Sequence, residues 1–270
     1  MHRKVSVDRW NAGARDDRVD FVAEEVPVAL TYNRHAHVVM MATPSDLEDF
    51  ALGFSLSEGI VRDPSELLAV RVLERDQGLE VAMTVSKEAQ EQLSRQRRNL
   101  AGRTGCGLCG AESIEQAMRR PEPVSNALRL SPSAIQQAVE ALDAGHPLQS
   151  RTGAVHCAGW FDLRRGLVHA REDVGRHNAL DKLIGCLALA GFEKTTGFVV
   201  VSSRASYEMV YKASAVGSEL LVAVSAPTAL AITFAGQAGM TLVGFARPGR
   251  HNVYTFPERI MDSGETTHDV

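Results

Sequence analysis

Short runs in which apolar and polar residues alternate open the ordered part of the chain. They predict three strands at 19–25, 27–32 and 36–42, the last two joined by a turn at Asn33-Arg34. Thr43-Pro44 reads as a helix start, with a hydroxyl cap and a proline in the first turn. Leu47, Phe50, Ala51 and Phe54 then share one helical face, and Gly59 closes the helix. Residues 65–85 predict a second pair of strands turning near Asp76-Gln77-Gly78. Before all this, residues 1–18 alternate Arg and Asp without an apolar face and are expected to form a flexible arm.

The middle of the chain loses its periodicity. Residues 91–99 are polar, Arg-rich and read as irregular, and glycines at 102, 105, 107 and 110 oppose any regular element. Regular patterning resumes with a helix from Ser131-Pro132 to about Ala144, and strands at 154–161 and 167–171. Asp173 is placed to cap a helix carrying Leu180, Leu183, Ile184 and Leu187, with Gly191 past its end. Strand 198–202, helix 207–215, strand 220–224, a helix opened by Pro227 and strand 241–246 follow.

Repeated strand–helix–strand units predict a layered α/β core with a mixed, mostly parallel sheet. The expected organisation is an arm at 1–18, a smaller N-terminal α+β part at 19–100, and a mobile cysteine loop and linker at 101–125. The α/β core at 126–260 and a tail at 261–270 complete it.

Composition narrows the function classes. The 270 residues carry 33 acidic and 29 basic side chains, a net charge of -4, so bulk attraction to nucleic acid is not expected and any anion site must be local. No apolar run suggests a secretory signal or a membrane span, which points to the cytoplasm. Four cysteines in so long a chain do not make a disulfide scaffold.

Two of them, Cys106 and Cys109, form a Cys-x-x-Cys loop. A thiolate is the nucleophile for sulfur transfer, and Arg95, Arg97, Arg98 and Arg103, with a helix expected near Ala111, can stabilise it. Two thiols so close also suit release of a persulfide, since one can attack the other's S–S bond. The rival reading is half of a zinc site completed by His156 and Cys157, which would make the protein a zinc-stabilised nucleotide-binding adaptor without sulfur chemistry. His156-Cys157-Ala158-Gly159 also echoes zinc deaminases, but Ala158 stands where their glutamate is needed.

Three polar clusters interrupt the apolar second half. They are residues 171–178, which include His177, then Ser202, Ser203 and Arg204, then Phe245, Ala246, Arg247, Pro248, Gly249 and Arg250. Strand ends that lead into helices are where α/β sheets bind ligands, and hydroxyls, amides and guanidinium forks suit phosphate. An anionic, nucleotide-like ligand is expected.

Together these segments resemble the FdhD/NarQ family of formate dehydrogenase accessory proteins. The resemblance is carried by Thr104-Gly-Cys-Gly-Leu-Cys-Gly110, His156-Cys-Ala-Gly159 and Glu172-Asp-Val-Gly-Arg-His-Asn-Ala-Leu-Asp-Lys182. Ser202-Ser-Arg204 with Glu208 and Lys212, Ala226-Pro-Thr228 and Phe245-Ala-Arg-Pro-Gly-Arg250 extend it to roughly residues 20–260. It implies a sulfurtransferase that accepts sulfur from a cysteine desulfurase as a persulfide. That sulfur would pass to the molybdenum bis-molybdopterin guanine dinucleotide cofactor of formate dehydrogenase. Cys106 would carry it and Cys109 would assist. The 245–250 segment would contact the cofactor, with guanosine diphosphate as a mimic. A cytidine deaminase-like core without its zinc chemistry and a homodimer are further implications.

Overall fold

The computed structural model describes residues 1–98 and 120–261. Its strands form three sheets, and the first of them corrects the sequence reading. Residues 1–18 are not an arm: β1 (His2–Asn11) and β2 (Ala14–Ala23) pair antiparallel along their whole length. Ala12 and Gly13 both take positive φ (48° and 87°), the geometry of a tight hairpin turn. The alternating charges that looked like disorder pair with one another, as in Arg15 with Asp8 and Arg18 with Asp16. The ribbon is held to the body where Phe21 lies under Arg151, 5.0 Å from guanidinium carbon to ring centroid, and edge-on to His2.

The second sheet has the order β4-β3-β6-β5. It comprises β3 (Val26–Tyr32), β4 (His35–Ala42), β5 (Leu67–Arg75) and β6 (Gly78–Val85). α1 (Leu47–Ser57) and α2 (Lys87–Arg98) accompany it, and Phe50, Phe54, Ala89 and Leu93 close its core over Val28, Leu30, Val81 and Met83. α2 includes most of the stretch read as irregular. Its residues are strong helix formers, and Ala89 and Leu93, one turn apart, bury a common face. α1 starts three residues later than Thr43-Pro44 suggests. Thr43 is drawn into the third sheet instead: its N–H donates to Asp173 Oδ2 (3.0 Å), and its hydroxyl accepts the Val174 N–H (3.1 Å).

The third sheet runs β12-β11-β10-β9-β7-β8. Its strands are β7 (His156–Asp162), β8 (Gly166–Asp173), β9 (Gly197–Val201), β10 (Leu220–Ala223), β11 (Thr241–Arg247) and β12 (Arg250–Val253). Only β9–β10 and β10–β11 are parallel; β7–β8, β7–β9 and β11–β12 are antiparallel. The sheet is therefore mixed but not mostly parallel. Connections as short as residues 163–165 and Pro248-Gly249 can only return a strand antiparallel.

α3 (Pro132–Ala144) covers one face, while α4 (Pro147–Thr152) leads into β7. α5 (Arg176–Ala190), α6 (Tyr207–Ala215) and α7 (Ala229–Ala238) cover the other. No helix among the described residues is long and apolar enough to cross a membrane.

The second and third sheets meet where α1 crosses α5. Gly53 and Gly185 allow the backbones to touch: a β-carbon at Gly185 would overlap the Asp49 carbonyl oxygen, and one at Gly53 that of Asp181. Gly185→Ala is therefore expected to destabilise the protein by about 1–3 kcal/mol or more, because backbone cannot yield as a side chain can. Urea titration read by circular dichroism checks this, and an unchanged midpoint would refute it.

Candidate functional site

The register of the third sheet gathers the polar clusters. His156 opens β7 opposite Asp173, the last residue of β8. Beyond the paired ends, the Ser202 hydroxyl accepts the Cys157 N–H (2.9 Å), and Ser202 N–H donates to the Cys157 carbonyl (3.0 Å). Ser225 N–H donates to the Ser203 carbonyl (3.3 Å), and Phe245 N–H to the Ser225 carbonyl (3.1 Å). His156, Ser202, Ser203, Arg204 and Phe245 thus line one edge, at the carboxyl ends of the parallel strands. α5 and α6 both begin at this edge.

Phe245 sits at a β-bulge with φ of 52°, a backbone few non-glycine residues adopt, and leaves 46% of its surface exposed. An exposed aromatic held at a strained position offers a face for a planar ring. Ala246 is buried beneath it. Arg247 and Arg250 pair across the Pro248-Gly249 turn, further out than the edge itself. α3 fixes that turn: Gln136 Oε1 accepts the Gly249 N–H (2.8 Å), and its amide nitrogen meets His251 Nδ1 at 2.9 Å. Both arginines are exposed, and neither is paired with a carboxylate among the described residues.

The segment 172–182 divides its residues between support and exposure. Glu172 accepts the Leu148 and Gln149 N–H groups at the start of α4 (3.0 and 2.8 Å). Asp173 is not the cap residue of α5, which is Gly175; its carboxylate accepts from Gly175 N–H (2.8 Å) and Asn178 Nδ2 (2.9 Å) and pairs with Lys182 at 2.7 Å. Lys182 also donates to the Thr43 carbonyl (3.0 Å). The charges of Arg176 and His177 reach His156, which places both near this edge. His177 Nε2 lies 2.8 Å from Glu208 Oε2, and this contact holds the Glu208 carboxyl below its usual pKa. His177, expected to touch a cofactor, already has a partner in α6. Arg176 was not singled out as a ligand residue, although its position directly after Gly175 at a strand-to-helix junction was the available signal.

Cys106, Cys109 and Arg103 lie outside the described residues, as do the Ala111 helix start and the 262–270 stretch of the tail. Cys157 and Cys186 are both buried. Burial pushes both thiols up, and Cys186 Sγ is 3.5 Å from His169 Nδ1. Neighbours along a strand face opposite sides of a sheet. Cys157 accordingly packs in the core beneath α3, while His156 stands on the α5 side. The two cannot ligate one metal ion together, which removes the residues that would complete a zinc site with the cysteine loop.

The result is a mixed α/β body, joined through α1 and α5 and carrying an aromatic and cationic sheet edge. The chain belongs to the FdhD/NarQ family, whose model matches residues 23–261. It is 52% identical over 260 residues to the sulfur carrier protein FdhD of Cupriavidus necator, covering 96% of this chain and 90% of that one. The FdhD of Xanthomonas campestris pv. campestris is 53% identical over 257 residues, with 95% and 92% covered. A crystal structure described as a formate dehydrogenase accessory protein from Desulfotalea psychrophila superposes with a TM-score of 0.74 at 27% identity, covering 97% of this chain and 99% of that one.

Proposed function

We propose that this protein is a sulfurtransferase that loads sulfur from a cysteine desulfurase onto Cys106 as a persulfide. It delivers that sulfur to the bis-molybdopterin guanine dinucleotide cofactor destined for formate dehydrogenase. The observation that carries the reading is the sheet edge, where exposed Phe245 and the unpaired Arg247 and Arg250 suit a base and a phosphate. The names of the relatives support the sulfur step and the client enzyme. Cys109 resolves the persulfide, and the protein acts as a homodimer in the cytoplasm. The core is cytidine deaminase-like: helices lie on both faces of a sheet in which hairpin β7–β8 flanks three parallel strands. Ala158, at the position a deaminase gives to its general acid/base, accounts for the absence of that chemistry.

In this division of labour the cofactor is cargo, and its binding is separable from sulfur loading. Arg250→Ala is expected to weaken guanosine diphosphate binding by about ten- to a hundredfold, the value of one charge-assisted contact. It should still gain the mass of one sulfur atom after incubation with a desulfurase and cysteine. Calorimetric titration and intact-protein mass spectrometry on one preparation test both halves. Wild-type nucleotide affinity in Arg250→Ala would reduce the turn to a surface loop, and failure of wild-type protein to load sulfur would end the carrier reading.

A further inference from the structure

The β1–β2 ribbon has a free edge that the cofactor and sulfur readings leave unused. α4 lies against β2, and Arg151 sits over the Phe21 ring and reaches His2. β1 is thus the outer strand of a two-stranded sheet. Its turn is two residues long, so Asn11 and Ala14 make the hydrogen-bonded pair that closes the hairpin. Hydrogen-bonded and open pairs alternate from there. His2, Lys4, Ser6, Asp8 and Trp10 therefore turn their N–H and C=O groups away from β2. The strand has no proline and its register has no bulge, two of the devices that blunt such an edge.

A two-stranded ribbon is marginal in water without a third strand or a core beneath it. Trp10 nonetheless stands 69% exposed near the tip, and Val19 63% exposed on the same face. An unpaired edge beside an exposed tryptophan calls for a partner, and the sequence of β1 says which one.

The edge is complementary to itself. Laid antiparallel on a second β1 about a two-fold axis at Ser6, it pairs over nearly its full length. Lys4 then faces Asp8 of the partner subunit, and Val5 faces Val7 of the partner subunit, each contact occurring twice. An axis at Val5 or at Val7 loses the Lys4–Asp8 match. Arg3 faces Arg9 of the partner subunit, the one repulsive pair. Each is offset within its own chain, Arg3 by Glu24 at 3.7 Å and Arg9 by Asp16 opposite it. His2 faces Trp10 of the partner subunit on the side of the ribbon that carries Phe21. The indole thereby joins a ring pair already in place, since His2 stands edge-on to Phe21 at 5.3 Å.

We propose that β1 pairs with β1 of a second copy about an axis at Ser6. The two ribbons become one four-stranded sheet, and each Trp10 covers the His2–Phe21 pair of the other chain. The inference rests on the homodimer reading and supplies its interface.

Sedimentation of the full chain tests the contact. The wild type should be a dimer, and Ser6→Pro and Trp10→Asp should be monomers at the same concentration with wild-type circular dichroism. Proline at position 6 removes a donor that β2 does not use, so the ribbon itself survives. Dilution of the wild type should shift the Trp10 emission to the red as the ring returns to water, while the buried Trp160 keeps its own. Ser6→Cys should cross-link into a dimer under mild oxidation. Opposed α-carbons of a hydrogen-bonded pair stand about 5.5 Å apart, within disulfide reach. If either Ser6→Pro or Trp10→Asp stays dimeric, or Ser6→Cys fails to cross-link, the proposal is overturned and the homodimer uses another surface. A monomeric wild type overturns it together with the homodimer reading.

Discussion

Lys212→Met is expected to destabilise the protein by about 3–5 kcal/mol, the range for removing one partner of a buried ion pair. Lys212 is 5% exposed and Asp181 1%. The ammonium donates to both Asp181 oxygens (2.8 and 2.9 Å) and to the Ser57 hydroxyl (2.8 Å), and lies 3.4 Å from Glu58. Ser57 in turn donates to Asp181 at 2.6 Å. The cluster ties α1, α5 and α6 into one body beside the Gly53–Gly185 crossing.

Burial alone would lower the Lys212 pKa, but Asp181 and Glu58 more than offset it and hold the amine above its ordinary 10.5. A raised pKa means that this stabilisation is complete below that value and is lost only as pH climbs through the folded pKa. Methionine fills the space and leaves Asp181 buried without its cation. For a chain of this size the loss corresponds to a fall in melting temperature on the order of 10 °C. Lys212→Met with Asp181→Leu should recover much of it, since no orphan charge remains. Thermal melts of the three proteins decide the matter, and a Lys212→Met variant that melts with the wild type would refute the account.

That cluster also shows what the sequence could and could not reveal. Helices α3, α5, α6 and α7 and the strands between them were legible because each buries an apolar face or run with clear end signals, such as Ser131-Pro132 and Gly191. The β1–β2 ribbon was not legible, because it is held by its backbone ladder, exposed charge pairs and the contacts of Phe21, which leave no apolar periodicity. The late start of α1 was hidden because Thr43 serves Asp173 and Val174, partners 130 residues away.

For the site, the strand-end rule brought Ser202–Arg204 and Phe245 to one edge. It did not separate ligand-facing residues from braces in the 172–182 segment. Asp173, Asn178, Asp181 and Lys182 look like site residues in one dimension, and in three they hold residues 41–43 and α1 against the core. Arg176 is marked in the sequence only by its place after Gly175 at a strand-to-helix junction. Its orphaned Nε is visible only once the packing is known.

The largest functional effect is expected at Cys106. Sulfur transfer proceeds by attack of a thiolate on the outer sulfur of the desulfurase persulfide. A new S–S bond forms on the acceptor, the donor S–S bond breaks, and the desulfurase cysteine leaves as a thiolate that takes up a proton. The competence of a cysteine therefore follows its thiolate fraction and its access. Cys157 fails on both counts, since it is 1% exposed and burial lifts its pKa far above the thiol range. Cys186 is 8% exposed, and burial raises its thiol too, with the Asp49 and Asp46 charges adding to the rise and Arg171 opposing it. On the proposed carrier reading, exclusion of these two leaves Cys106 and Cys109 as acceptors. An ordinary thiol of pKa ~8.5 is a few per cent thiolate at neutral pH. Cys106→Ala should accordingly show no sulfur mass after incubation with a desulfurase and cysteine, and should fail to activate a formate dehydrogenase. Cys109→Ala should load but deliver poorly, because the thiol that attacks the loaded S–S bond is gone. Cys157→Ala with Cys186→Ala should load like the wild type, so intact mass across the four proteins assigns the carrier. Full loading of Cys106→Ala, with loss in the Cys157→Ala/Cys186→Ala protein, would move the chemistry into the core and overturn the assignment.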